Sequence, residues 1–446
     1  MHKDIFHPDF KAQPWWWEAW TPNNALSQDP PAKTEVVIVG AGYGGLSTAL
    51  ELRRNNIDCV VLERGVFGIG ASTRNGGMIS GGTNIAKGLG GKNPRVDAEF
   101  AANKAAFLGS GADSLDTLID IIGREKIDCG LTTNGRFTGA WTPRHYDDQA
   151  TKVEMFNRYA NVGAEMIPRE RVREMMASDY YYGGMFVKSG GHLHPARYYK
   201  GLLEAAHAQG ATLCGNLEAE RIEKAGSGKS GSGWRVLTAK GPIACREVVI
   251  ATNGYTGDLI PKLRQTVIRP NSFIVATEPL SDNIAGTILP EGQVTSDTRQ
   301  LLLYFRKDHT NRLLMGGRGP FREPRDAADW SHLERVIGKM YPQAKGLRFD
   351  YRWCGRVALT RDFLPHLHEP EPGLLVDIGC MGRGVGLQTA MGRAMALYLS
   401  TGDKASLPFP VVPITPLPLH ALNELYVSAI IAWYRLTDGG MKDRAA

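Results

Sequence analysis

Residues 34–45 read TEVVIVGAGYGG, residues 60–64 read VVLER, and residues 70–77 read GASTRNGG. The run Val36, Val37, Ile38, Val39 is too uniformly apolar and β-branched for a half-exposed strand, so it predicts one buried on both faces of a parallel sheet. Gly40, Gly42 and Gly45 follow at the G-x-G-x-x-G spacing, and helix-forming LSTALELRR comes behind them. The first glycine permits the turn, the second lets the backbone approach a pyrophosphate, and the third lets helix and strand pack closely. Free N–H groups at the helix start then face the phosphates. Glu63 ends the next apolar strand, 18 residues after Gly45, where a carboxylate can hold a ribose 2′-OH. Strand, turn, helix and acid agree on a bound dinucleotide.

The rest of the composition narrows the class. A chain of 446 residues with 43% hydrophobic and 22% charged content is an ordinary globular protein with room for two or three domains. Its net charge of +6 is dispersed, which argues against nucleic acid as a partner. The cysteines, Cys59, Cys129, Cys214, Cys245, Cys354 and Cys380, form no C-x-x-C pair. They read as reduced thiols of a cytoplasmic protein. The opening MHKDIFHPDF has no apolar core of a signal peptide, and no run reaches the ~18 apolar residues of a membrane span. The apolar stretch YVSAIIAWY at 426–434 reads as a docking helix.

Residues 1–33, with Trp15, Trp16, Trp17 and Trp20, form an irregular aromatic arm that packs on its own body or on a partner. Helical patterning runs from about 96 to 123, a helix enters after Pro195, and another lies at about 328–342. Short strands include SFIVATEPL, LLLYFRK and RLLMGGR; CREVVIATNGYT (245–256) and LLVDIG (374–379) return to buried strands. AGSGKSGSG at 225–233 resembles a phosphate loop, but Glu223 occupies the place of its first glycine, so it is a hairpin connection. The order predicts a mixed α/β and α+β chain with a discontinuous nucleotide-binding domain at 34–95, 190–260 and 350–404. A mostly antiparallel substrate domain is inserted at 96–189 and 261–349, and 405–446 forms a tail and helix. The cofactor belongs between the two domains.

Candidate chemistry lies elsewhere too. GCMGRGVG, with Gly379, Gly382, Gly384 and Gly386, opens a helix after a strand without repeating the dinucleotide spacing. Such a loop can stabilise negative charge on a reduced ring system, or it is a tight connection. His192 with His194 and His366 with His368 are spaced i, i+2, without a third ligand at a recognisable distance, so no metal is expected. Tyr304 and Arg306 share a strand face; Trp353 and Arg356 precede the final strand. These four and His194 are the pocket candidates, each arginine being equally readable as a surface ion pair. No catalytic acid or base is evident.

Taken in order, GAGYGGLSTALEL, GASTRNGG, GGHLHP, VVIATNGY, NRLLMGG, RWCGRVALTRDFLP and GCMGRGVGLQTAMGRAMA resemble the FAD-dependent oxidoreductases of the D-amino-acid oxidase type, which include glycine and sarcosine oxidases. Within that group the chain is most similar to γ-glutamylputrescine oxidoreductases, which share an aromatic arm, an RNGG segment, a GGH-x-HP segment and an aromatic C-terminal helix. The resemblance implies a Rossmann-type FAD domain in which Gly40, Gly42, Tyr43, Gly44 and Gly45 cradle the pyrophosphate. Glu63 would hold the adenosine ribose, with Arg64 beside it. Ser72, Thr73, Arg74, Asn75, Gly76, Gly77 and Met78 would follow the flavin's edge. Thr252, Asn253 and Gly254 would lie near the adenosine half, and Gly382, Arg383, Gly384 and Val385 by the pyrimidine end of the ring.

Three departures bear on the substrate. Gly386 stands where sarcosine-oxidase-like members place a carboxylate-binding lysine, and Leu314 where they place an oxygen-activating one; Gly382-Arg383-Gly384 replaces G-H-G. Cys354 is near the site of covalent flavin attachment but out of register, so non-covalent FAD is expected. The resemblance thus implies oxidation of a C–N bond in a small-molecule amine, by hydride transfer to flavin N5 and hydrolysis of the imine, in polyamine catabolism. Oxygen or another acceptor takes the electrons. The alternatives are a D-amino-acid or N-methyl amino acid oxidase or dehydrogenase, an FAD monooxygenase, or a flavin-binding protein without turnover.

Overall fold

The computed structural model describes residues 5–81, 94–225 and 233–443, of which 94–106 and 438–443 enter only as parts of helices. All four side chains of the Val36–Val39 strand are buried. It lies inside a six-stranded sheet ordered His366–Glu371, Leu374–Ile378, Glu247–Ile250, Val36–Val39, Cys59–Leu62, Thr212–Cys214. All pairs are parallel except the first. Helices cover one face of such a sheet because each parallel crossover needs one. Here Tyr43–Arg54 packs on Gly384–Thr401, and Leu46, Leu50, Met391 and Met395 form part of one core. Close packing at the turn depends on Gly45, where a Cβ would stand 2.0 Å from Gly40 O. The other face is covered by the three-stranded sheet Arg221–Ala225, Gly233–Thr238, Gly241–Cys245 through Trp234, Val236 and Ile243.

The second sheet has nine strands, ordered Phe6–Lys11, Phe349–Arg356, Asn271–Pro279, Arg312–Arg318, Tyr304–Lys307, Val294–Asp297, Arg136–Gly139, Gly184–Val187, Ala164–Ile167. Two of its pairings are parallel and the rest antiparallel. Helix Ser331–Met340 seals one face, burying Leu333, Ile337 and Met340 against Phe273, Phe305 and Met315. The opposite face looks toward the glycine turn.

Several elements sit differently from the sequence expectation. The arm is not wholly irregular: Phe6–Lys11 adds a parallel edge strand beside Phe349–Arg356. The latter strand belongs to the nine-stranded sheet, so the crossing back to the six-stranded sheet falls after Arg356 and not at 350. Helix Pro94–Arg124 contributes Phe107, Leu115, Leu118 and Ile121 to the core beneath the six-stranded sheet, not to the nine-stranded one. The stretch GPIAC at 241–245 is a strand that its proline concealed. Arg221–Ala225 and Gly233–Thr238 pair antiparallel as a hairpin, and the connection 226–232 lies outside the described residues.

Candidate active site

A cavity of about 1240 Å³ runs between the two sheets, larger than the ~300–1,000 Å³ of a single drug-sized site. One end is walled by Gly40–Gly44, Glu63 and Arg64, the middle by Ser72, Arg74, Asn75 and Gly76, and the other end by Arg136, Ser272, Ile274, Tyr304, Arg318 and Arg383.

The first end is built to take an anion. Helix Tyr43–Arg54 begins after Gly42 without a side-chain cap, so first-turn N–H groups and the positive end of the dipole are offered to a ligand. Backbone N–H groups of Ala41 (3.2 Å) and Gly65 (3.0 Å) donate to the Glu63 carboxylate and fix it at the rim. Asn253 has φ +42°, and its Oδ1 accepts from Gly379 N at 3.1 Å, tying the 252–254 loop to the second glycine loop.

The middle wall is a loop with its own internal bonds. Tyr43 N donates to Ser72 Oγ at 3.2 Å, Asn75 Nδ2 to Ser72 O at 2.9 Å, and Gly77 N to Asn75 Oδ1 at 2.8 Å. Thr73 and Gly77 are not in the wall; Thr73 is fully buried behind it.

At the far end the nine-stranded sheet supplies polar side chains. Tyr304 OH and Ser272 Oγ are 2.8 Å apart, and the Tyr304 ring crosses Gly316 so closely that a Cβ there would lie 2.0 Å from the ring. Arg318 pairs across strands with Ser272, is half-buried in the wall, and its Nη1 has no hydrogen-bond partner among the described residues. Arg136 Nη2 donates to Ser296 Oγ at 2.8 Å. Burial lowers the Arg318 guanidinium from its ordinary range, Arg136 to about 10 and Arg383 to about 9, the last helped by the nearby Arg136 charge. None of these sheet residues was singled out in sequence except Tyr304. Alternation along RLLMGGR, which puts Leu314, Gly316 and Arg318 on one face, was the available signal for Arg318.

The other pocket candidates separate. Arg356 reaches the cavity wall, paired with Glu323 at 2.8 Å. Trp353 does not: it pairs across strands with Ile274 on the sheet face that Tyr304 shares, but the 72–76 loop covers it, and its Nε1 donates to Arg74 O at 2.8 Å behind the loop. Arg306 also stands behind the loop, donating from Nε to Gly76 O (2.9 Å) and from Nη2 to Leu193 O (3.0 Å). His194 is the N-cap of helix Pro195–Ala208, its Nδ1 accepting from Arg197 N. Burial pushes that imidazole down to about 3, and it lies outside the cavity wall. A residue before a proline at the first helical position caps the helix, and HLHP carried that signal. His366 is bonded to Asp362 (2.8 Å) and His368 to the Val412 carbonyl (2.7 Å).

Comparison with known proteins agrees with this geometry. The DAO family model, FAD dependent oxidoreductase, matches residues 35–397, and the chain belongs to that family. It is 30% identical over 411 residues to γ-glutamylputrescine oxidoreductase of Escherichia coli, covering 91% of this chain and 92% of that one. In fold it is similar to L-proline dehydrogenase from P. horikoshii (TM-score 0.71, 19% identity, 85% and 98% of the two chains). It is likewise similar to glycine oxidase from Geobacillus kaustophilus (TM-score 0.66, 21% identity, 87% and 99%). The chain is therefore an FAD-dependent oxidoreductase of the group that acts on amines and amino acids. The uncapped helix start, the close turn that only Gly45 allows and the length of the cavity fit that cofactor. No helix among the described residues is long and apolar enough to cross a membrane.

Proposed function

We propose that this enzyme oxidises a C–N bond in an amine that also carries a carboxylate, such as a γ-glutamylated diamine or an N-substituted amino acid. The observation that carries the reading is the chamber at the far end of the cavity, where Tyr304, Ser272, Arg136 and Arg318 face the middle loop. A half-buried guanidinium with an unpaired Nη1 is costly until an anion reaches it, and a substrate carboxylate is such an anion.

The same positive wall acts on the reacting nitrogen. Cations near an amine disfavour its ammonium form, so the chamber holds the substrate nitrogen neutral with its lone pair free. Tyr304 and Ser272 offer hydroxyls that orient the amine, while Ile274 and Leu302 keep water out. FAD, when bound, supplies the two-electron oxidant. Removing two electrons and two protons from H–C–N–H leaves a C=N bond, which water hydrolyses to a carbonyl compound and an amine. Cys354 lines the cavity, but burial pushes its thiol up to about 11. Thiolate is then scarce, which supports non-covalent FAD.

The test is product analysis. The holoenzyme is incubated with γ-glutamylputrescine, an N-methyl amino acid and a D-amino acid, each with an artificial electron acceptor. One carbonyl formed per two electrons taken up, from at least one of the three, is expected; no carbonyl from any carboxylate-bearing amine would refute the reading.

A further inference from the structure

The loop that walls the middle of the cavity is gripped from behind by a row of donors, one for each successive residue. Trp17 Nε1 donates to Thr73 Oγ1 at 2.9 Å, Trp353 Nε1 to Arg74 O at 2.8 Å, Trp16 Nε1 to Asn75 O at 2.8 Å, and Arg306 Nε to Gly76 O at 2.9 Å. Three of the four donors are indoles, which have one donor each and no acceptor, so each ring is committed to this bond. The rings support one another: Trp16 meets Trp353 edge-on at 6.3 Å, and the Arg306 guanidinium lies 5.0 Å from the Trp16 ring. Trp16 is fully buried and Trp353 nearly so.

The opposite side of the same loop, at Ser72, Arg74, Asn75 and Gly76, forms cavity wall. We propose that Trp16, Trp17 and Trp353 are positioning residues for the flavin: they set the height of the 73–76 backbone from behind, and the Trp-rich arm is the strap that locks this wall against the nine-stranded sheet. An arm serving only to bury apolar area would not aim the N–H groups of Trp17 and Trp16 at Thr73 and Asn75, alternating with the donors to Arg74 and Gly76 that Trp353 and Arg306 bring from the sheet. Trp15 supplies the contrast. It belongs to the same arm, but its Nε1 donates at 2.6 Å to Asp308 on the sheet side and makes no bond to the loop.

Replacing tryptophan by phenylalanine keeps a ring and removes the N–H. Leaving a buried carbonyl without its donor weakens what depends on it by roughly 5- to 100-fold. Wild-type and variant holoenzymes are stripped of flavin and titrated with FAD, following quenching of flavin fluorescence and the visible absorption envelope. Trp16→Phe and Trp353→Phe are expected to raise the FAD dissociation constant by roughly 5- to 100-fold and to alter the envelope of the bound flavin. Trp15→Phe is expected to leave both within about twofold. The two positive variants lie on different elements, so if one fails to fold the other still decides. FAD affinity and envelope unchanged in a folded Trp16→Phe or Trp353→Phe, or changed equally in Trp15→Phe, would overturn the proposal.

Discussion

Asp377→Asn is expected to stabilise this protein above neutral pH and to leave it nearly unchanged below about pH 4. Asp377 lies on the strand Leu374–Ile378, is 1% exposed, and neither carboxyl oxygen has a hydrogen-bond partner among the described residues. Its surroundings are the start of helix Tyr43–Arg54, where a Cβ on Gly44 would stand 3.6 Å from Oδ2, and Gln388 on helix Gly384–Thr401. Burial pushes the carboxyl up from 3.8 to about 7, with the neighbouring Gln388 side chain opposing. The folded protein therefore holds this proton between about pH 4 and 7, while the unfolded chain has released it. A neutral carboxyl lets the fold keep its full stability below about pH 4; stability falls as the pH rises from about 4 through 7 and levels off above that. A pKa raised from 3.8 to about 7 corresponds to at most ~4 kcal/mol lost above neutrality; water reaching the carboxylate reduces it to half of that or less, about 1–2 kcal/mol. Asparagine has the same shape and no charge. With FAD saturating, the variant's Tm at pH 8.5 should exceed wild type by about 1–4 °C, and the gap should narrow as the pH falls below 7 and close near pH 4. A difference independent of pH, or a variant less stable at pH 8.5, would refute the reasoning.

Further expectations follow from the cavity. Arg318→Leu should raise KM for carboxylate-bearing amines by roughly 10- to 100-fold, the worth of a hydrogen bond to a charged group. The same substrates with the carboxylate amidated should be unaffected; equal losses for both would remove Arg318 from carboxylate binding. Acid precipitation of the holoenzyme should release all the flavin into the supernatant, because the Cys354 thiol is held up at about 11 by burial; flavin retained in the pellet would contradict this. Leu314 is 3% exposed, packed in a cluster with Trp16 and Ile274, and offers no cation to reduced oxygen. Reoxidation of the reduced enzyme by air should therefore be slow, and Leu314→Lys should speed it by roughly 10- to 100-fold; fast wild-type reoxidation would refute this.

What the sequence disclosed was local. Val36–Val39, the glycine turn, Glu63 and the strands 247–250 and 374–378 announce themselves within a few residues, because a buried parallel strand and its turn are specified by their own side chains. GASTRNGG was legible as a cofactor segment, but its grip was not. The donors to residues 73–76 come from positions 16, 17, 306 and 353, and no periodicity links partners so far apart. The arm's strand was hidden for the same reason, since FHPDFK pairs with residues more than 300 positions away. Arg306, His194 and Trp353 carry the residue types of a pocket, yet stand behind it, because chemistry-bearing side chains also serve as caps and props. Arg136 and Arg318, which do face the chamber, look like ordinary strand ends until the sheet is assembled.

The central claim, an FAD enzyme that oxidises amines, is tested most directly by anaerobic titration of the purified holoenzyme. Stoichiometric loss of the visible flavin absorbance on adding γ-glutamylputrescine or another carboxylate-bearing amine, with no response to NADH or NADPH, is the result expected. Bleaching by a nicotinamide alone would point to a monooxygenase, and a flavin untouched by every amine would leave a binding protein; either result would contradict the account.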